Sequence, residues 1–420
     1  MKRTKISVLG GGSVFTPELV DLLGTYSEDL GDVDLYLMDL QADRLKVVGD
    51  FCQRLLEGKT TSIILHMTTD LQEAIRGADY ICNQIRSGGL PARIEDERLG
   101  KKYKLPFTET VSVCGFATYL RSFPDIVKIA NVMKNEAPEA WVLNFANPAG
   151  MLSETFFRLG INRVIGVCNV SETIKDFIAE RLGIAREVLY MNFRGINHMT
   201  FVDQVWVNGE DRYGEVIKNY NKGDSTLPFP SELIRSMGFI PSPYLQYYYL
   251  KDKIVEKLQD QDKNRSELVL EIEKELLNTY KDAIEVPVVL KKRGGYGYSK
   301  VVANLIRDMF IDGGNIHYAI VRNGSTLTEI PENGFVEVPV IAHKNRVEAI
   351  QVDPIPVMAK PLVVSLKAYE DMLIDGALNR SEEQLLRSLV MHPLIPSYGI
   401  AKDLLEDVLM INQPYLGWLK

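Results

Sequence analysis

Cysteine is scarce, with four in 420 residues. Cys52, Cys82, Cys114 and Cys168 include no C-x-x-C pair, which excludes a disulfide framework and a zinc site built on paired spacing. They read as reduced thiols of a cytoplasmic protein. No apolar run approaches the roughly 18 residues needed to cross a bilayer. Excess positive charge is also missing. A net charge of −8 argues against a nucleic-acid surface while leaving room for a local basic pocket for a small anion. The start Met1-Lys2-Arg3 is basic, but the apolar run behind it ends at Gly10-Gly11-Gly12, too soon for a signal peptide. There is no internal repeat and no low-complexity segment.

What remains is an ordinary soluble composition, 25% charged and 46% hydrophobic. The length suits two domains or one large one. Lys5–Leu9 is a β-rich run that empties into Gly10-Gly11-Gly12-Ser13-Val14-Phe15. Thr16-Pro17-Glu18 then opens a helical pattern, with Pro17 suited to its first turn and Thr16 to its cap. Glycines at such a turn let the backbone approach a pyrophosphate, which the helix amides then hold. The third glycine of G-x-G-x-x-G is absent, because Phe15 stands in its place, so a plain tight turn stays open as an alternative. A second strand, Asp34–Met38, ends in Asp39. A carboxylate there accepts from an adenosine ribose and repels a 2′-phosphate, favouring NAD over NADP. It would equally serve to start the helix Gln41–Leu56, which carries Arg44.

Strands near Ser62–His66, Tyr80–Gln84, Trp141–Asn144 and Val164–Val167 alternate with helices near Leu71–Arg76 and Phe123–Asn135. Such alternation predicts an α/β fold, a Rossmann-type doubly wound parallel sheet with ligands beyond the carboxyl ends of its strands. Arg86, Arg93, Asn144, Asn147, Cys168 and Asn169 all follow strand ends. After about residue 200 the pattern changes. Pro241–Tyr244 breaks the chain, a long charged helical region covers Lys251–Lys281, and Lys292-Arg293-Gly294-Gly295 precedes a helix at Ser299–Ile311. Extended segments then run to Val340, and two or three amphipathic helices close the chain. We divide it into a dinucleotide-binding domain, 1–170, and a mixed α+β domain for substrate and metal, 171–420. Cys168 and His198 each follow an apolar run, and a thiolate with an imidazole would make half of a soft-to-borderline metal site. A buried thiol and a core histidine are the plain alternative.

Three blocks together resemble glycoside hydrolase family 4, the NAD- and metal-dependent glycosidases. They are Asn144-Phe145-Ala146-Asn147-Pro148-Ala149-Gly150, Ile165-Gly166-Val167-Cys168-Asn169 and Gly195-Ile196-Asn197-His198. Gly88–Arg93, Pro243–Tyr248 and Lys292–Gly295 flank them in matching order, so the resemblance spans nearly the whole chain. Asn169 after Cys168 is similar to the 6-phospho-β-glucosidase branch, where the α-phosphoglucosidase branch has Asp and the α-galactosidase branch His.

The resemblance implies a fold related to lactate and malate dehydrogenases. It also implies a hydrolysis that begins as a redox reaction, an exception to the two-carboxylate scheme. NAD⁺ takes hydride from C3 of the sugar, and a base removes the acidified C2 proton. The aglycone then leaves from C1, water adds, and the hydride returns. A divalent metal, Mn²⁺, polarises the C2 and C3 oxygens. Carried over residue by residue, Cys168 and His198 match the metal ligands and Tyr244 the base. Arg93, Arg293, Asn147 and Asn169 match substrate contacts. Gly10, Gly12, Ser13, Val14, Phe15, Thr16, Asp39, Arg44 and Asn147 fall on the NAD site. The resemblance also implies a phosphorylated sugar as substrate and assembly into a dimer or tetramer.

Two departures stand out. A Gly-rich Thr-Gly-x-Gly-Gly-Phe loop of the family reads Thr110-Val111-Ser112-Val113-Cys114-Gly115-Phe116 here, and Asn169 is followed by Val170-Ser171 rather than by Val or Ile and Pro. Two other readings stay open. One is a 2-hydroxy-acid dehydrogenase using Asn147 and His198, which has no need of Cys168. The other is an inactive NAD-binding protein, for which the altered loop is the only sign.

Overall fold

The computed structural model describes residues 3–220, 226–295 and 297–419, so the basic start Met1-Lys2 lies outside it. Nearly every β-rich run of the first half becomes a strand: β1 (Thr4–Leu9), β2 (Val33–Met38), β3 (Ile63–Thr68), β4 (Tyr80–Asn83), β5 (Trp141–Asn144) and β6 (Val164–Gly166). The second half adds β7 (Leu189–Ile196), β8 (Met199–Val207), β9 (Glu210–Asp211), β10 (Ile240–Pro241), β11 (Ile316–Arg322), β12 (Phe335–His343) and β13 (Arg346–Ala349).

Among the described residues these thirteen strands form one sheet, ordered β10-β8-β7-β12-β11-β6-β5-β4-β1-β2-β3, with β9 beside β8 and β13 beside β12. The run β3-β2-β1-β4-β5-β6 is wholly parallel. That is the doubly wound dinucleotide order, with its crevice where the order reverses between β1 and β4. From β6 outward every pairing is antiparallel, starting at Ile320 opposite Gly166 and continuing at Glu337 opposite Gly195. The central parallel strands β1 and β4 are buried on both faces along the near-continuous apolar runs Ile6-Ser7-Val8-Leu9 and Tyr80-Ile81-Cys82, while the edge strand β3 exposes Ile64 and Met67.

Several elements differ from the sequence expectation. The helix expected at Phe123–Asn135 starts ten residues earlier and spans Val113–Glu136, with Pro124 inside it. The charged region Lys251–Lys281 is two helices, Lys251–Asp260 and Arg265–Thr279, parted by a capping box in which Asn264 and Glu267 exchange hydrogen bonds. Helices at Gly89–Lys102 and Ala149–Arg158 were not expected from the sequence. Thr16 does not cap its helix. Phe15 holds the cap position, and the Thr16 hydroxyl accepts from Gln84 Nε2 at 2.7 Å. Three helices close the chain, Lys360–Leu378, Glu382–Met391 and Tyr398–Ile411. No helix among the described residues is long and apolar enough to cross a membrane.

Candidate active site

The glycine turn after β1 is pressed against its neighbours. Gly10 and Gly11 both donate to the Met38 carbonyl, at 2.9 and 2.7 Å. Gly10 has φ +85°, and a Cβ on Gly12 would stand 2.8 Å from Asp39 Oδ2. The positive φ at Gly10 and the Leu37 and Met38 backbone atoms about 3.0 Å from a Cβ on Gly11 favour glycine in this turn. Asp39 accepts from the Gly12 amide at 2.9 Å and from the Gln41 amide at 3.0 Å, so it braces the loop and leads into the helix Ala42–Glu57. Arg44, in the first turn of that helix, donates Nε to the Gly12 carbonyl at 2.7 Å. Val14 is fully buried, and its carbonyl accepts the Tyr280 hydroxyl at 2.6 Å. The Ser13 hydroxyl accepts from the Phe15 amide at 3.3 Å. These residues form a cradle at a helix N-terminus, suited to a dinucleotide pyrophosphate.

A second cluster forms beyond β5, β6 and β7. Asn147, at the β5 end, precedes Pro148 through a cis peptide and has a buried, unpartnered Oδ1. Cys168 lies two residues past β6, buried, with Sγ 3.9 Å from the Tyr298 hydroxyl. Asn169 takes the N-cap position of the helix Val170–Leu182, so the departure at Val170-Ser171 costs no helix. Asn197 and His198 are the two residues of the β7–β8 turn, where His198 has φ +67°. Asn197 donates to the buried carboxylate of Glu337 on β12 at 3.0 Å.

His198 is the most informative side chain. Its Nδ1 lies 2.6 Å from Thr110 Oγ1, while its buried Nε2 has no partner. Burial pushes its pKa down to about 4, against the opposing charge of Glu109, so the ring is neutral at pH 7. A neutral ring that donates Nδ1–H to Thr110 presents the lone pair of Nε2, as a metal ligand does. The Tyr244 ring stacks on it, centroids 3.6 Å apart and planes within 5°. Burial holds the Cys168 thiol and the Tyr244 phenol well above their ordinary values, with Glu337 adding to the first and Glu109 to the second. A bound divalent cation would reverse this for the thiol, since coordination removes its proton. Among the described residues no three His, Cys, Asp or Glu side chains gather as a metal site. A metal held by Cys168 and His198 would therefore keep open positions. The donor set fits.

Between the two clusters lies a knot of charge whose carboxylates the sequence did not single out. Glu109 pairs with Arg86 at 2.6 Å and with Arg93 at 3.3 Å. Burial alone would raise its carboxyl, but Arg93, Arg86 and Arg293 hold it well below the usual range. Arg93 also meets Glu97 at 3.3 Å, and Arg293 donates to Glu273 at 2.7 Å. The Arg293 guanidinium sits 4.8 Å from the Phe15 ring centre, joining this knot to the dinucleotide cradle. The guanidiniums of Arg86, Arg93 and Arg293 converge here with the carboxylates of Glu109, Glu97 and Glu273, and an arriving anion would compete with those carboxylates for them. The residues matched to cofactor, metal and substrate thus fall in three groups, while Asn144 is buried in β5, accepting from Asn83 and donating to Ser153. Thr110, Glu109, Tyr298, Glu273 and Glu337 were missed. Only Thr110, in the altered loop, had a sequence signal.

Comparison with known proteins agrees. The family model described as family 4 glycosyl hydrolase matches residues 5–184, and that of its C-terminal domain matches residues 193–395. The 6-phospho-beta-glucosidase of Thermotoga maritima is 35% identical over 98% of this chain and 99% of its own length. That of Escherichia coli is 30% identical over 99% and 96%. The solved structure of the Thermotoga enzyme with manganese, NAD+ and glucose-6-phosphate superimposes with a TM-score of 0.93, covering 98% of this chain and 99% of that one at 35% identity. A lactate dehydrogenase from a deep-sea metagenome shares the fold alone, with a TM-score of 0.57 at 13% identity over 89% of this chain and 100% of that one.

Proposed function

The chain belongs to family 4 of the glycosyl hydrolases, and from that membership we propose that it hydrolyses 6-phospho-β-glucosides, either phosphorylated β-disaccharides or aryl glucosides, with NAD and Mn²⁺ as cofactors. The observation that carries this reading is the buried, unpartnered Nε2 of His198 beneath the Tyr244 ring. A dinucleotide cradle alone would suit a dehydrogenase. An open metal position beside a phenol base and an arginine knot suits a phosphorylated sugar. When bound, NAD accepts and returns a hydride at C3 of the sugar, while the metal acts as a Lewis acid on the C2 and C3 oxygens.

Each residue has a part. Gly10, Gly12, Ser13, Val14, Phe15, Thr16, Asn147, Asp39 and Arg44 hold the dinucleotide, and the Asp39 carboxylate selects NAD over NADP. Cys168 Sγ and His198 Nε2 hold the metal, and Thr110 orients the His198 ring through its Nδ1. Tyr244 Oη takes the C2 proton. Arg93 lowers the phenol against burial, and positive charge at Cys168 would lower it further. Arg93 and Arg293 receive the 6-phosphate through paired hydrogen bonds, with Arg86 beside them. Asn147 and Asn169 meet sugar hydroxyls. Residues 1–170 form the dinucleotide domain and 171–420 the substrate and metal domain of a cytoplasmic dimer or tetramer.

The test is hydrolysis of an aryl 6-phospho-β-glucoside with NAD⁺, Mn²⁺ and a thiol reductant omitted in turn. Turnover that needs NAD⁺ and Mn²⁺ yet accumulates no NADH is expected. Net NADH formation with a 2-hydroxy acid would replace this reading with the dehydrogenase one. Tyr244→Phe should abolish exchange of the C2 proton with solvent, and full exchange in that variant would move the base elsewhere.

A further inference from the structure

The helix Arg265–Thr279 has the sequence of a charged surface element, yet it reaches the site at three points. At its start Ser266 holds Glu97, the partner of Arg93, with its amide at 2.9 Å and its hydroxyl at 2.6 Å. At its end Tyr280 holds the Val14 carbonyl. Between them Glu273 divides its carboxylate. Oε1 accepts from Arg293 Nη2 at 2.7 Å and Nε at 3.2 Å, and Oε2 accepts from Arg44 Nη2 at 2.9 Å. Arg44 in turn fixes the Gly12 carbonyl, and Arg293 covers Phe15. Glu273 is 6% exposed.

Two guanidiniums therefore share one buried carboxylate, and each belongs to a different ligand. A phosphate dianion arriving at Arg293 compensates that guanidinium and leaves more of the Glu273 charge to Arg44. The Arg44 Nη2–Glu273 contact strengthens and holds in place the guanidinium whose Nε fixes the Gly12 carbonyl, so the loop amides stay aligned for a pyrophosphate. The low dielectric of the site keeps this transfer from being screened. The reverse path is the same one, since coupling between two binding sites is reciprocal.

We infer that Glu273 is a positioning residue that couples the dinucleotide loop to the phosphate-binding arginine, so that NAD and the 6-phosphorylated sugar bind cooperatively. The inference rests on the functional reading above. Glu273 touches neither ligand and acts through Arg44 and Arg293.

The experiment is calorimetric titration of the full-length, Mn²⁺-supplied protein with NAD⁺, with and without glucose 6-phosphate, and then in the reverse order. In the wild type each ligand tightens the other by about fivefold or more, equally in both directions. In Glu273→Gln that ratio falls to within about twofold of one, even where both single affinities persist. A merely structural role would weaken either ligand without moving the ratio. A folded Glu273→Gln that keeps the wild-type ratio overturns the inference, as does a wild type that binds both ligands independently. Should Glu273→Gln fail to fold, Glu273→Asp serves. It keeps the charge but is one methylene too short for both contacts, so its ratio should also fall, and a wild-type ratio there overturns the inference. A wild type that binds neither NAD⁺ nor glucose 6-phosphate removes the functional reading itself, a failure distinct from lost coupling.

Discussion

A threonine orients His198, the histidine proposed to hold the metal. The Thr110 hydroxyl at 2.6 Å occupies His198 Nδ1 and holds the ring so that Nε2 faces the site. Thr110→Val is expected to weaken Mn²⁺ binding by about 10- to 100-fold, read by electron paramagnetic resonance, with NAD⁺ affinity unchanged. Cys168→Ser exchanges a thiolate for a hydroxyl that does not ionise at pH 7. It should lose metal-dependent activity while still binding NAD⁺, and undiminished turnover would remove Cys168 from the mechanism. Cys168 and His198, the proposed ligands, stood out in the sequence because each closes a recognisable block after a strand. Their supporters did not. Thr110 meets His198, and Glu337 meets Asn197, across stretches of chain that no local pattern spans.

The helix Val113–Glu136 shows how one element tolerates an altered loop. Of the loop glycines only Gly115 remains, and a Cβ there would stand 2.4 Å from the Thr110 carbonyl oxygen. The helix start therefore seats Thr110 directly, and that is the one glycine this loop cannot replace. Gly115→Ala should displace Thr110 and weaken Mn²⁺ binding in the same direction as Thr110→Val. It should also cost about 1–3 kcal/mol of stability for the overpacking, measured by urea unfolding. The helix Arg265–Thr279 makes a parallel case. Ser266→Ala removes a hydroxyl from a buried carboxylate, so a loss of about 1.5–3 kcal/mol is expected, with a raised KM through Arg93. Strands were legible as elements because each is a short apolar run between turn residues. The Val113 helix start was hidden by Gly115 and Pro124, which read as breakers. The Arg265 helix was legible as a helix, but its contacts were not.

At the scale of the molecule, burial sets the response to pH. His392 is buried, its Nδ1 accepts from the Leu394 amide at 3.1 Å, and burial pushes its pKa down to about 3. The unfolded chain binds that proton more readily, so this contribution is complete above about pH 6.5 and is lost as pH falls toward 3. Glu337 and Glu370, raised by burial to about 7, act in the opposite direction. The measurable quantity is therefore a difference. The stability of wild type relative to His392→Gln should rise from pH 5 to pH 7, by at most about 1.4 kcal/mol per pH unit.

The seam of the sheet carries a consequence for synthesis. β6, whose end leads to Cys168, and β7, which leads to His198, do not pair with each other. They are joined by β11 and β12, which follow the helix Tyr298–Ile311. On the ribosome the six parallel strands and the glycine turn are complete while those two strands are still unmade. A nascent chain can thus cradle a nucleotide well before its thiol and imidazole ligands are brought to one place. Metal loading at the proposed ligands would belong to the finished polypeptide.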